Sequence, residues 1–257
     1  MSRTHGRSIP LSPARRLMCD LMHASRPLPL ISIERLIDLR AVRDARRRCA
    51  DPPSWYAIIT KAFALVALRR PALRTSFLTF PWPRLYEHAF SVATLPVERR
   101  IGDEDAVLFN QLWEPEARTL AELHLEIRRL KSVPLDQEPM FRNLLRLSRF
   151  PRLVRRFFWW LGLRVNGYWR MVQFGTFGVT GVAGLGASLL HFLSPLTCNL
   201  AVTAFQPDGT AFLRLVWDHR VMDGVAPART LADVESCLNT EILRELEGME
   251  QAPRPSQ

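Results

Sequence analysis

WDHRVMDGVAPARTLADV, residues 217–234, is the stretch from which both fold and chemistry of this 257-residue chain can be inferred. The preceding AFLRLVW is typical of a buried strand, and the small and apolar residues after DHRVMDG predict a helix. A histidine that directly follows a buried strand is held in a fixed position beside the neighbouring cleft. Histidine has an ordinary pKa of about 6.5, so His219 is a candidate general base at neutral pH.

Two further residues of this motif, Asp223 and Gly224, have structural interpretations. Asp223 lies across the turn from His219, where its carboxylate can hold the loop in place, and Gly224 can relieve crowding or permit a positive φ. Asp223 could equally be the N-cap of the last helix, because aspartate is a favoured cap. His219 itself could be a buried and hydrogen-bonded histidine with no catalytic role.

Helix starts can be read from local capping patterns elsewhere in the chain. PLSPARRLMCDLMHAS, residues 10–25, predicts a helix with Ser12 as N-cap and Pro13 in its first turn. Ser54 is the expected cap of a strongly apolar helix, and Thr119 begins a capping box. These helices supply the apolar faces that a core requires.

The apolar run 171–207 is long enough to cross a bilayer, but glycines and prolines interrupt it. It therefore predicts buried strands and turns, with strands near residues 173–180 and 196–205. Its segment GTFGVTGVAGLGA, residues 175–187, has a glycine spacing that fits neither a dinucleotide-binding nor a phosphate-binding loop.

Three stretches together resemble the catalytic domain of the 2-oxoacid dehydrogenase acyltransferases, a family related to chloramphenicol acetyltransferase. Residues 10–25 are similar to its opening helix, with paired basic residues and a terminal Met-x-x-Ser. Residues 175–187 are similar to its Gly-Thr-Phe-x-hydrophobic-Ser/Thr segment, and residues 217–234 to its DHRVxDG followed by a small-residue helix. The resemblance implies an α/β fold, a two-layer sandwich in which helices cover a mixed β-sheet.

The resemblance also implies an activity, the transfer of an acyl group from a thioester such as acyl-CoA to a thiol, hydroxyl or amine. His219 would deprotonate the acceptor, which attacks the thioester directly, and Thr180 would donate a hydrogen bond to the resulting oxyanion. Asp223 would be the family's structural aspartate, paired with Arg15 or Arg16. No cofactor is expected to stay bound, since the CoA thioester is a co-substrate. Thr180 could alternatively be an ordinary strand threonine.

Family members are trimers whose histidine and hydroxyl residue come from neighbouring subunits, which implies a homotrimer here. The chain departs from the family at Thr180-Gly181-Val182-Ala183, where the family has Ser-Asn-x-Gly, and over residues 99–169. We therefore expect a stand-alone member without a lipoyl domain, with a changed substrate channel and an acceptor that need not be lipoamide.

The domain organisation is expected to be simple. Residues 1–8 are predicted to be a flexible N-terminus, residues 9–247 a single catalytic domain, and residues 248–257 a disordered tail. The four cysteines lie far apart without metal-ligand spacing, which predicts no metal site and reduced thiols in the cytoplasm.

The formal net charge of +10 raises an anionic partner as an alternative. Because the arginines are spread along the whole chain, we expect no nucleic-acid binding. Residues 152–164 combine arginines with FFWW and fit an amphipathic helix that docks on anionic lipid or admits a long acyl chain. Alternatively, the segment is a core helix whose arginines form a solvated face, or a subunit contact. A non-catalytic scaffold that kept the fold is a further alternative.

Overall fold

Helices and strands are interleaved along the chain in the computed structural model, which describes residues 6–181, 190 and 192–250. The strands are β1 (Leu30–Asp38), β2 (Thr75–Leu78), β3 (Arg84–Glu87), β4 (Val92–Ile101), β5 (Glu104–Trp113), β6 (Phe177–Thr180), β7 (Cys198–Val202) and β8 (Thr210–Asp218). The helices are α1 (Pro13–Ser25), α2 (Arg40–Arg48), α3 (Trp55–Arg69), α4 (Leu120–Ser132), α5 (Pro139–Leu147), α6 (Arg152–Arg164), α7 (Gly167–Phe174), α8 (Ala226–Cys237) and α9 (Leu243–Glu250).

Within the described residues, six strands form the central sheet in the order β1-β8-β7-β6-β4-β5, and β2 pairs with β3 in a separate hairpin. β6 runs parallel to both of its neighbours, β4 and β7, whereas the other neighbouring pairs in the sheet are antiparallel. Helices α1, α3, α4, α5 and α8 pack against this sheet. The predicted fold class, a mixed sheet covered by helices, is confirmed.

Helix α3 forms the centre of the core, as its sequence predicts. Ser54 caps it by accepting a hydrogen bond from the backbone N–H of Ala57 at 3.2 Å. Phe63 packs edge-on against Phe177 of β6, with ring centroids 4.8 Å apart. Lys61 is buried on the same helix and forms an ion pair with Glu245 of α9, so its charge is compensated.

The strand expected from residue 173 begins later, because α7 occupies that segment. Asn166 caps α7 by accepting from the N–H of Trp169 at 3.1 Å, and the helix continues to Phe174. Gly175 then adopts a φ of +81°, and a Cβ atom there would lie 2.8 Å from the carbonyl oxygen of Val92. This glycine allows the abrupt change from helix to strand that the sequence pattern did not reveal.

The last helical segment lacks the cap considered for it and extends beyond the expected end of the catalytic domain. It begins at Ala226 with Val225 as N-cap and no side-chain cap, so the alternative that Asp223 caps it is wrong. A π-helical turn, Leu238–Ile242, joins α8 to α9. Because α9 continues to Glu250, the expected tail begins too early at residue 248; its remainder, like residues 1–5, lies outside the described residues.

Helix α6 carries the aromatic and arginine-rich segment. Its Phe157, Phe158 and Trp160 are exposed, whereas Arg155 is buried. The Arg155 guanidinium donates to both carboxylate oxygens of Asp20 in α1, at 2.5 and 3.3 Å. Trp159 and Leu163 of the same helix are buried in the core, so α6 does have a core face, but its arginines do not form one solvated face because Arg155 is buried.

The apolar run 171–207 contributes α7, β6 and β7, with residues 182–189 and 191 outside the described part. Among the residues that the structure describes, no helix combines the length and apolar character needed to cross a membrane.

Candidate active site

His219 follows the last residue of β8 and is held by backbone hydrogen bonds. Its N–H donates to the carbonyl oxygen of Pro29 at 3.1 Å, and the N–H of Asp218 donates to that of Thr197 at 2.8 Å. The His219 side chain is exposed, so it is not the buried histidine of the structural alternative. A rigid backbone with an exposed imidazole suits a group that must exchange protons with a substrate.

The loop after His219 is organised by Asp218, a residue that sequence reasoning passed over. Asp218 is buried, and its carboxylate accepts two hydrogen bonds from the Arg220 guanidinium, at 2.9 and 2.6 Å. It also accepts from the Arg220 N–H at 3.0 Å, and the guanidinium lies over the ring of Phe77 at 4.4 Å. The signal was present in the motif, since aspartate and arginine flank the histidine directly.

A second arginine, Arg170 of α7, lies behind this loop. It is fully buried and donates to the carbonyl oxygens of Leu163 at 2.9 Å and Pro195 at 2.8 Å. Burial lowers its pKa to about 10, and the nearby charge of Asp218 opposes that shift. Because Arg170 stays protonated at neutral pH, the buried carboxylate beside His219 is near a second positive charge in addition to that of Arg220.

Asp223 and Gly224 lie on the same loop; Asp223 does not have the role predicted for it, whereas Gly224 adopts the predicted positive φ. The Asp223 side chain is exposed, and its carbonyl oxygen accepts from the N–H of Ala226 at 3.4 Å. Asp218 therefore holds the loop where Asp223 was expected to do so. Gly224 adopts a φ of +59° with no atom near a would-be Cβ, so it serves backbone conformation and does not relieve crowding.

The arginines predicted to pair with Asp223 have other partners. Arg15 forms an ion pair with Glu104 of β5 at 3.2 Å, and Arg16 donates to the carbonyl oxygen of Leu11 at 3.1 Å. The predicted pairing is therefore wrong within one chain. Both arginines lie in the first turn of α1, which packs against α5, α6 and β5.

Thr180 ends β6 and is half-buried on the wall of two cavities. The next residue, Gly181, accepts a hydrogen bond from the Tyr56 hydroxyl through its carbonyl oxygen at 2.7 Å. Burial raises the pKa of Tyr56, so the phenol stays a proton donor and holds the end of the strand. The rest of the predicted oxyanion segment, Val182 and Ala183, lies outside the described residues.

The structure does not bring His219 and Thr180 together within one chain. Thr180 is in register with Ala201 of β7, which pairs with Arg214 of β8. His219 follows Arg214 by five residues on the antiparallel strand, a distance of roughly 16 Å along the sheet. The imidazole and the hydroxyl therefore lie at opposite ends of the strands.

Solved structures of known proteins share this arrangement of strands and helices. A probable dihydrolipoamide acetyltransferase from Listeria monocytogenes is 16% identical with a TM-score of 0.63, over 91% of this chain and 94% of that one. The dihydrolipoamide acetyltransferase of Azotobacter vinelandii is 16% identical with a TM-score of 0.68, over 95% of each chain. The chain has the acetyltransferase-core fold.

Chloramphenicol acetyltransferase has the same acetyltransferase-core fold, with 12% identity and a TM-score of 0.54 over 89% of this chain and 96% of that one. The fold implied by the sequence resemblance is thus confirmed. No protein-family model matches the chain, and no curated protein matches it. At these identities the likeness establishes the fold, and the activity has to be argued from the residues of the site.

Proposed function

We propose that this protein is an acyltransferase that moves an acyl group from an acyl-CoA thioester to a thiol, hydroxyl or amine acceptor. The observation that carries the proposal is the exposed imidazole of His219 on a loop held by backbone hydrogen bonds, in an acetyltransferase-core fold. A histidine retained for packing alone would be buried. The acidic and cationic groups beside it are already paired with each other, which leaves the imidazole available to a substrate.

In the proposed reaction, His219 takes the proton of the acceptor as its oxygen, sulfur or nitrogen attacks the thioester carbonyl. The carbonyl oxygen becomes an oxyanion, to which the hydroxyl of Thr180 donates a hydrogen bond. The C–S bond then breaks, and the proton on His219 passes to the CoA thiolate. The products are the acylated acceptor and free CoA, and no metal or resident cofactor takes part.

The separation of His219 and Thr180 supports a site formed by two copies of the chain. One end of the sheet carries the base, and the other carries the hydroxyl donor. A head-to-tail contact between two copies of the chain can bring these two ends together. Repeating this contact produces a closed ring when the rotation from one copy to the next is a whole fraction of a full turn. We propose a homotrimer in which His219 of one subunit and Thr180 of the next act on one substrate. The cytoplasmic location expected from the sequence stays a prediction.

Mixing two inactive variants tests this arrangement. Co-expressed His219→Ala and Thr180→Val chains form mixed trimers, in which about a quarter of the subunit contacts combine both intact residues. We expect free-CoA release to return to about a quarter of the wild-type rate per site. The same variants purified apart and mixed without subunit exchange are the control. Mixed trimers as inactive as either parent would contradict a site shared between subunits.

The outer face of α6 supports a second and separate proposal, peripheral contact with an anionic membrane. Leu153, Phe157 and Trp160 expose large apolar surfaces, and Arg152 is exposed on the same helix. Aromatic side chains beside arginines are typical of helices that lie in the headgroup region of a bilayer. The charge complementarity favours phosphatidylglycerol-like lipids.

We expect the protein to co-sediment with vesicles that contain phosphatidylglycerol and to be released by salt, because exposed charges are screened. Replacing Phe157 and Trp160 together by glutamine should weaken this binding at least about tenfold. Leu125→Gln, a change of an equally exposed residue on α4, is the matched control. If the double variant keeps its vesicle binding, or if it instead dissociates the oligomer in sedimentation experiments, the face is not a membrane-binding surface.

A further inference from the structure

Two neighbouring cavities lead away from Thr180 into the helical layer. The first, of about 610 Å³, has Thr180, Val179 and Gly178 on its wall. The second, of about 590 Å³, lies among α5, α6 and α7. They share the side chains that stand between them, which are Met140, Leu144, Trp159, Gln173 and Phe174. The two cavities are therefore neighbours that share one wall, and we refer to them together as the channel.

The wall of the first cavity is predominantly apolar. It is lined by Leu17, Leu21 and Phe109 among other apolar side chains. Two of its polar residues are engaged by the backbone: the Thr94 hydroxyl donates to the carbonyl oxygen of Phe174 at 2.6 Å, and the Ser194 hydroxyl accepts from a backbone N–H at 3.2 Å. The size lies within the range of about 300–1,000 Å³ that is usual for small-molecule sites.

The two ends of the channel have different chemistry. At one end stands the Thr180 hydroxyl, the group proposed to contact the thioester carbonyl. At the other end the lining includes Phe150, Phe158 and Trp169, all of which are exposed at the surface, with Asn143 and Arg146 beside them. A molecule that fits this channel has one polar, reactive end and a long apolar remainder.

We propose that the channel holds the acyl chain of a long-chain acyl-CoA, with its carbonyl at Thr180 and its alkyl chain running past Leu144 towards α6. This inference rests on the proposed acyl transfer, and it names the class of donor. A straight alkyl chain replaces water against the apolar wall, and each methylene buried in this way raises affinity by about fourfold. An acetyl group would leave the channel unfilled.

The test measures binding of acetyl-, octanoyl- and palmitoyl-CoA to the His219→Ala variant by calorimetry, so that turnover does not interfere. We expect octanoyl-CoA to bind at least about a hundredfold more tightly than acetyl-CoA. Leu144→Trp, a half-buried position between the two cavities, should fill the channel and remove this gain while acetyl-CoA binds as before. Leu125→Trp on the exposed face of α4 is the matched control.

Affinity that does not depend on chain length, or a Leu144→Trp variant that behaves like the control, would overturn the channel. A fluorescent long-chain fatty acid without CoA separates the two proposals. If it binds and is blocked by Leu144→Trp while wild-type protein releases CoA from no donor, the channel stands and acyl transfer fails. If wild-type protein turns over acetyl-CoA and the fatty acid does not bind, acyl transfer stands and the channel fails.

Discussion

Replacing His219 by alanine is expected to lower kcat/KM for free-CoA release by about 10²–10⁴-fold. The reason is the loss of the proton acceptor at the moment when the nucleophile attacks. The imidazole is exposed, and the backbone around it is held by hydrogen bonds from its own N–H and from Asp218, so the fold should be unaffected. The measurement is thiol release monitored across acyl-CoA donors with thiol, alcohol and amine acceptors.

A matched control exists in His23, another exposed histidine, which lies on α1. His23→Ala should retain the wild-type rate. Equal activity of His219→Ala and His23→Ala would remove the general base from the mechanism, and the non-catalytic scaffold would then become the better interpretation of the chain.

Replacing Thr180 by valine is expected to reduce kcat by about 10²–10³-fold with little change in KM. Valine has nearly the shape of threonine and favours strands, so the end of β6 is preserved while the hydroxyl is lost. An interaction made only with the oxyanion lowers the barrier without strengthening substrate binding, which is why the loss should appear in kcat.

Thr180→Ser distinguishes this role from a packing role. Serine keeps the hydroxyl and removes the methyl group, so it should retain most of the activity. A serine variant as impaired as the valine variant would show that the shape of the side chain matters and not its hydrogen bond, and Thr180 would then be an ordinary strand threonine.

Helix starts were predictable because caps act locally. Ser12, Ser54 and Thr119 each accept a hydrogen bond from a backbone N–H three residues later, at 3.1, 3.2 and 3.2 Å. Such a contact depends only on the residues of one turn, so the pattern can be read directly. The cap predicted at Asp223 failed because Gly224, at positive φ, redirects the backbone before α8 begins.

Ion pairs between distant parts of the chain were not predictable in the same way. Arg15 pairs with Glu104, 89 residues away, and Arg155 pairs with Asp20, 135 residues away. By side-chain chemistry alone, either arginine could pair with any of several aspartates or glutamates. The partner that it has is determined by which helices and strands pack together. The resemblance to a family supplied a partner for Asp223, but the contacts of α1 select a different one for Arg15.

In the candidate active site, too, short sequence motifs could be predicted, whereas their relative positions in the fold could not be predicted from the residues alone. The motif around His219 and the segment of Thr180 could both be identified, since each is a short run of residues on one strand end. Their separation within one chain was implied only by the resemblance to a trimeric family and not by the residues themselves, because it follows from the strand order, in which β6 and β7 are parallel and β8 is antiparallel to β7. Register across three strands is a property of the assembled sheet.

The buried pair between Asp20 and Arg155 constrains how this protein can change over generations. Loss of either partner alone leaves an uncompensated charge in the interior, at a typical cost of about 3–5 kcal/mol. Simultaneous replacement of both by apolar residues typically changes the free energy of unfolding little. The two positions are therefore expected to be substituted together and not one at a time. The exposed aromatics on the outer side of α6 take no part in this ion pair. Substitutions of the exposed residues of α6 can therefore accumulate during evolution without disturbing the ion pair that holds α6 against α1.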